Sequence, residues 1–181
     1  MRNHRQFVTK NLSSKFNEVK KDNYLRNSHN HITNIIKTPI FDYTDMGYVN
    51  LNKALRNNLK VKNEYFLKYG LKKLKSYKGI VYRSTRLDQF IIDRYTVNFQ
   101  KKIPICDLGF FSSSKNFSIA VSGFSGNVIF KIKSKNGKSI KEISKYKYED
   151  EVLFTSKTKF QITAIKFDPF FDLYNINLVE I

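Results

Sequence analysis

The sequence has one cysteine, Cys106, in 181 residues, no tryptophan, and only three prolines and seven glycines. A single thiol excludes an intramolecular disulfide framework and a cysteine-based zinc cage, so the fold must hold by packing. Histidine is equally scarce. His4, His29 and His31 all lie near the N-terminus, and His29-Asn30-His31 has no third ligand beside it, so no metal is expected. Long apolar runs are missing too. Met1 to Asn30 is broken throughout by Arg, Lys, Asn and Asp, which excludes a cleaved signal peptide, and no stretch is long enough to span a membrane. Export would then need a route without a cleaved signal, or excision of the domain from a larger carrier. Acidic residues are few, 15 against 33 Lys and Arg, giving a formal charge of +18. That excess points to nucleic acid or an anionic membrane surface. It is equally what a Lys-, Asn-, Ile- and Tyr-rich compositional bias produces, since the lysines are spread along the chain. Both readings stay open.

Hydrophobic residues at 41% and aromatics at 15% leave enough apolar surface for the core of one ordinary domain. No internal repeat and no Pro- or Gly-rich linker divides the chain. Phe7 to Leu25 is polar with sparse apolar positions and reads as an N-terminal arm or peripheral helix. After a turn signal at Thr44-Asp-Met-Gly-Tyr48, Tyr48, Leu51, Leu55 and Leu59 recur at helical spacing. Tyr65, Phe66, Tyr69, Leu71 and Leu74 mark a further helix that ends near Tyr77-Lys-Gly79. From Gly79 the pattern changes. Ile80-Val-Tyr-Arg83 suits a buried strand. Leu87 to Phe99 reads as a helix followed by a loop, and Asn127 to Lys133 alternates as a strand with one wet face. Asn136-Gly137 is a turn, and Glu151–Phe154, Lys159–Ile165 and Tyr174–Val179 read as strands. Helices followed by strands imply an α+β fold with antiparallel sheets.

Three short segments carry candidate chemistry: Tyr82-Arg83, Ser112-Ser113-Ser114 after Gly109-Phe110-Phe111, and Glu149-Asp150-Glu151. Singly, each has an ordinary structural explanation: a salt-bridged arginine, a loop, a wet strand edge. On an extended backbone, side chains two apart point the same way, so Glu149 and Glu151 are expected to face one cleft while Asp150 points away.

In order and with their flanks, aromatic-Arg, Gly-Phe-x-Ser-x-Ser and Glu-x-Glu-Val-Leu resemble the arginine-specific mono-ADP-ribosyltransferases, a toxin and effector family with Arg, Ser-Thr-Ser and Glu-x-Glu motifs. Gly47-Tyr48, Leu51-Asn52 and Leu55-Arg56 look like that family's N-terminal helix. Leu71 to Arg83 looks like its approach to the first catalytic strand, and Gly126–Phe130, Gly137–Ile140, Ser144 and Thr158–Phe160 also match. The resemblance covers Asp42 to Phe167. Ser113 stands where the family usually has threonine, which retains the hydroxyl.

The resemblance implies helices followed by two small antiparallel sheets around a central NAD-binding cleft, with residues 1–41 a helical extension and 42–181 the catalytic domain. It implies transfer of ADP-ribose from NAD to a protein arginine with release of nicotinamide. NAD is then a co-substrate, bound without the glycine-rich phosphate loop of doubly wound folds. Arg83 is implied to hold the NAD phosphates, Ser112 to orient the catalytic glutamate, and Ser113 and Ser114 to support the strand packing and the nicotinamide side. Glu151 would stabilise the ribosyl cation and hold a ribose hydroxyl, and Glu149 would act on the acceptor. Phe117, in the segment Lys115 to Ala120, is a candidate for stacking on nicotinamide and equally readable as core. The implied context is a monomeric bacterial toxin or effector, secreted or injected, that modifies a host or competitor-cell protein in the cytosol, with an antitoxin as a further partner. Two alternatives stand beside this reading: an NAD glycohydrolase using the same site, and a basic nucleic-acid-binding protein or a transferase that modifies nucleic acid.

Overall fold

The computed structural model describes residues 2–122 and 126–181. Its first part is helical: α1 (Arg2–Asn11), α2 (Ser13–Lys21), α3 (Asn23–Asn27) and α4 (Asn34–Asp42) lead through a π-turn (Tyr43–Gly47) to α5 (Tyr48–Arg56) and α6 (Lys62–Lys72). The sparse apolar residues of the first helices are the ones buried. Phe7 and Val8 pack with Phe66, while Val19 and Leu25 join Ile40, Leu67 and Leu71 in one core. Segment Phe7–Leu25 is therefore packed rather than peripheral. Lys37, fully buried on α4, donates its ammonium to the carbonyls of Leu25 and Arg26 at 2.8 and 3.0 Å. Those carbonyls lie in the last turn of α3, where no intrahelical partner remains, so one lysine ties the two helices together.

After α6 the chain forms strands: β1 (Gly79–Thr85), then α7 (Gln89–Gln100), β2 (Ile105–Cys106), β3 (Phe111–Ser114), α8 (Phe117–Ser122), β4 (Val128–Ser134), β5 (Lys138–Ser139), a 3-10 turn (Lys147–Glu149), β6 (Glu151–Phe154), β7 (Lys159–Asp168) and β8 (Leu173–Glu180). The strand order is β2-β7-β8-β4-β1-β3-β6-β5. Between β1 and β3 the ladder consists of one pair, Tyr82 opposite Ser114. A five-stranded and a three-stranded set thus meet at a single residue pair, which is the form the two expected sheets take. The expectation of purely antiparallel pairing needs one correction: β4 and β8 run parallel. A parallel pair needs a long crossover, and the chain supplies it by building β5, β6 and β7 before β8 returns to β4.

Two apolar clusters flank this arrangement. One fills the space between the helices and the segment after β5, from Val19 and Ile40 through Phe110, Ile140, Ile143 and Leu153. The other lies between the sheet and α7, with Ile92 packed among Val81, Phe111, Phe130, Phe154 and Phe160. Both reach the strands that carry the serines and Glu151.

Candidate active site

Strands β1, β3 and β6 lie side by side and bring together residues far apart in sequence. Arg83 of β1 donates from Nη1 to the carbonyl of Ser112 at 2.7 Å and stacks its guanidinium 4.6 Å from the centre of the Phe111 ring. Its charge is fixed in place from both sides. On β3, Ser114 pairs directly with Glu151 of β6, so the two side chains share a face, and Ser112, two residues along, is the diagonal neighbour of Glu151. Ser113 points to the other face, where its hydroxyl donates to the carbonyl of Val152 at 2.8 Å. Ser114 donates to the carbonyl of Glu149 at 2.6 Å.

Glu151 is 4% exposed. Burial pushes its carboxyl up to about 7, opposed by hydrogen bonding from Ser112, reinforced by the charge of Glu149 and opposed by Arg83. Glu149 is half-buried and its carboxyl is pushed up by burial alone. The guanidinium of Arg83 is shifted down, chiefly by burial, and stays charged because arginine starts so high. The site therefore holds one fixed cation and two carboxyls whose ionised forms are costly.

The Glu149-Asp150-Glu151 triplet is not extended, which corrects the alternation argument. Glu149 closes the 3-10 turn, with its N–H on the carbonyl of Tyr146 at 3.1 Å, and Asp150 follows in the left-handed region at φ 44°. Aspartate tolerates that conformation better than most residues. Strand pairing begins only at Glu151. Asp150 turns to Lys115 at 3.1 Å and Lys141 at 3.7 Å, while Glu149 remains within electrostatic reach of Glu151. The two glutamates meet through a turn.

Phe117, at the start of α8, is half-exposed and lies edge-on to Tyr82 with 5.2 Å between ring centres, so it is not core. Four residues without a sequence-based role belong to the same neighbourhood. Tyr43 is buried and its phenol is held protonated, first by burial and then by the charge of Glu151. Asn52 donates to the Tyr43 oxygen at 3.1 Å and to the Phe110 carbonyl at 3.3 Å, and accepts from the Phe110 N–H at 2.8 Å. Arg56, one turn along α5, makes a two-pronged pair with Asp107 at 3.0 and 2.7 Å. Asp107 also accepts from the Gly109 N–H at 2.8 Å, and a Cβ on Gly109 would come within 2.9 Å of Asn52 Oδ1. Asn52 and Arg56 stand four apart on a helix whose buried positions include Leu51 and Leu55, and that spacing toward the core was the available signal.

Chemically, a buried carboxylate can stabilise developing positive charge, and a fixed guanidinium can hold phosphate oxygens. Residues 13–178 match the model of the NAD:arginine ADP-ribosyltransferase family. The chain belongs to this family. Among similar ADP-ribosyltransferases, the NAD(+)–protein-arginine ADP-ribosyltransferase Tre1 of Serratia proteamaculans is 36% identical over 129 residues, 68% of this chain. The chain spans 16% and 27% of the length of the curated relatives it matches. Two solved structures share the ADP-ribosyltransferase fold. HopU1 of Pseudomonas syringae has a TM-score of 0.80 at 18% identity, covering 93% of this chain and 87% of that one. Exoenzyme S of Pseudomonas aeruginosa, solved with human 14-3-3 protein beta and carba-NAD, has a TM-score of 0.78 at 18% identity, covering 99% and 88%. Among the described residues no helix is long and apolar enough to cross a membrane.

Proposed function

We propose that this ADP-ribosyltransferase domain moves ADP-ribose from NAD to an arginine side chain of an acceptor protein. The observation that carries this reading is the buried Glu151 carboxyl, held beside Ser112 and Arg83 and within reach of Glu149. Cleaving the bond between nicotinamide and ribose leaves positive charge on the ribosyl carbon, and the ionised Glu151 faces that charge in a dry site where its effect is largest. Ser112 favours the ionised form by hydrogen bonding. Arg83 supplies a fixed cation for the pyrophosphate, and Arg56 a second, more exposed one nearby.

Glu149 then acts on the acceptor. A guanidinium is a poor nucleophile while fully protonated, and a half-buried carboxylate can orient it and take up its proton as the new bond to the ribosyl carbon forms. Nicotinamide departs with the electron pair of the broken bond, so the proton leaves through the carboxylate and the charge balances. Ser113 and Ser114 support this arrangement from β3 through their bonds to Val152 and Glu149. Phe117, edge-on to Tyr82 at the rim, is a side chain that can close on nicotinamide. Tre1 is named for protein arginine, which supports a protein acceptor.

The test is incubation with NAD and agmatine, separating the ADP-ribosyl-guanidine adduct from free ADP-ribose. Adduct formation that Glu149→Gln removes supports the reading. Free ADP-ribose as the sole product, with no adduct at any agmatine concentration, would make the protein an NAD glycohydrolase instead.

A further inference from the structure

The turn that carries Glu149 lies in a segment, residues 140–150, crowded with cations: Lys141, Lys145 and Lys147. A cationic acceptor approaching Glu149 meets their field. Each lysine is nevertheless engaged. Lys141 lies 3.7 Å from Asp150, and Lys145 lies 3.3 Å from Glu18 of α2 and 3.9 Å from Asp45 of the π-turn. Lys147 holds its ammonium 3.6 Å from the centre of the Tyr24 ring on α3. Tyr24 is exposed, whereas Leu25 beside it is core.

Lys147 sits two residues from Glu149 in the same 3-10 turn, on a flexible four-carbon stem. Among the described residues no cation pairs with Glu149, although Asp150 next to it already has two lysines. Glu149 is the acid that shares this turn with Lys147. The backbone of the segment is fixed by other means. Ile140 and Ile143 are buried in the helical core, and the Lys145 N–H donates to Thr44 Oγ1 at 2.9 Å. What Tyr24 holds is the ammonium.

We propose that Tyr24 is a positioning residue: its ring face tethers the Lys147 ammonium, keeps it from pairing with Glu149, and so leaves Glu149 open to the acceptor guanidinium. The inference rests on Glu149 being the acceptor-side carboxylate. A tyrosine face attracts an ammonium by its ring quadrupole, and phenylalanine supplies the same face without the hydroxyl. Residues of the N-terminal helices thereby belong to the acceptor side of the enzyme.

The experiment measures kcat/KM for ADP-ribosylation of agmatine and, separately, for hydrolysis of NAD, in Tyr24→Ala, Tyr24→Phe, Lys147→Met, the double variant Tyr24→Ala/Lys147→Met, and Glu149→Gln. Tyr24→Ala is expected to lose about three- to tenfold in transfer, the size a cation–π tether can supply, while hydrolysis is unchanged. Tyr24→Phe and Lys147→Met stay within about twofold of the parent, on the same scale. The double variant recovers the transfer that Tyr24→Ala loses. Normal transfer in Tyr24→Ala, a double variant as slow as Tyr24→Ala, or parallel loss of both reactions would overturn the tether. Full transfer in Glu149→Gln would overturn the acceptor-side reading and the tether with it. Loss of transfer in Glu149→Gln beside an unaffected Tyr24→Ala would overturn the tether alone.

Discussion

The hydroxyl of Ser114 donates to the backbone carbonyl of Glu149 at 2.6 Å and accepts from the N–H of Asn116 at 3.0 Å. One buried side chain therefore links the end of β3 to the turn that presents Glu149. Ser114→Ala removes the bond while leaving the β3–β6 ladder in place. Loss of one such hydrogen bond costs about 1 kcal/mol of stability, or somewhat more where the carbonyl stays buried. The larger expected effect is on transfer: with Glu149 acting on the acceptor as proposed, kcat/KM toward agmatine falls several-fold, while NAD hydrolysis changes less. Equal loss of the two activities would show that Ser114 serves the fold and not the turn.

Asn52 makes an analogous connection on the helical side. Its amide satisfies both the N–H and the carbonyl of Phe110, 58 residues away, and reaches the Tyr43 phenol as well. Asn52→Leu fills similar space and leaves those buried backbone groups without partners, at a cost of about 2–3 kcal/mol. For a chain of this length that corresponds to a fall of roughly 4–12 °C in Tm. A thermal melt within about 1 °C of the parent would mean that water replaces the amide, since a shift that small is a few tenths of a kcal/mol.

The parts of this molecule that were legible beforehand are those written in local pattern. The β1 strand at Ile80–Arg83 and the β6 strand at Glu151 stand where pattern and punctuation place them, and the helices through Tyr48 and Tyr65 are present but end earlier than expected, at Arg56 and Lys72. Arg83, Ser112, Glu149 and Glu151 stand out only through the family resemblance of their three segments taken in order, and the fold gathers them because β3 lies between β1 and β6. Non-local relationships were not legible. No pattern reveals that Asn52 faces Phe110 or that Lys147 lies over Tyr24, because each depends on how distant elements pack. The alternation rule failed at Asp150 for a local reason, a left-handed residue inside the triplet, and a turn-forming aspartate there was the signal against extended backbone.

Burial of Glu151 implies a cost that depends on pH. Its carboxyl is raised from 4.5 to about 7, so between those values the folded chain holds a proton that the unfolded chain releases. The stabilising contribution of the protonated group is complete below about pH 4.5 and is lost as pH rises through about 7. Glu151→Gln removes the titration. Relative to the parent, this variant should gain stability as pH rises from 5 to 8, by up to about 3 kcal/mol before relaxation and water reduce it. Urea denaturation of both proteins across that range checks the sign. A constant difference at every pH would show that Glu151 is ionised throughout.

Ser112 opposes that upward shift, so the hydroxyl should leave a trace in the pH dependence of catalysis. With Glu151 required in its ionised form, kcat/KM for NAD cleavage rises with pH through the carboxyl's titration near 7 in the parent. Ser112→Ala removes the hydrogen bonding that favours the charged form, and Arg83 alone then counters burial and Glu149. The inflection should move to higher pH, and the deficit of the variant should be greatest below neutrality and shrink in alkaline buffer. Ser112→Thr, which retains a hydroxyl, should leave the inflection near that of the parent. A rate deficit of the same factor at every pH would mean that Ser112 contributes through geometry or NAD contact, and the assignment of its hydroxyl to the charge state of Glu151 would fail.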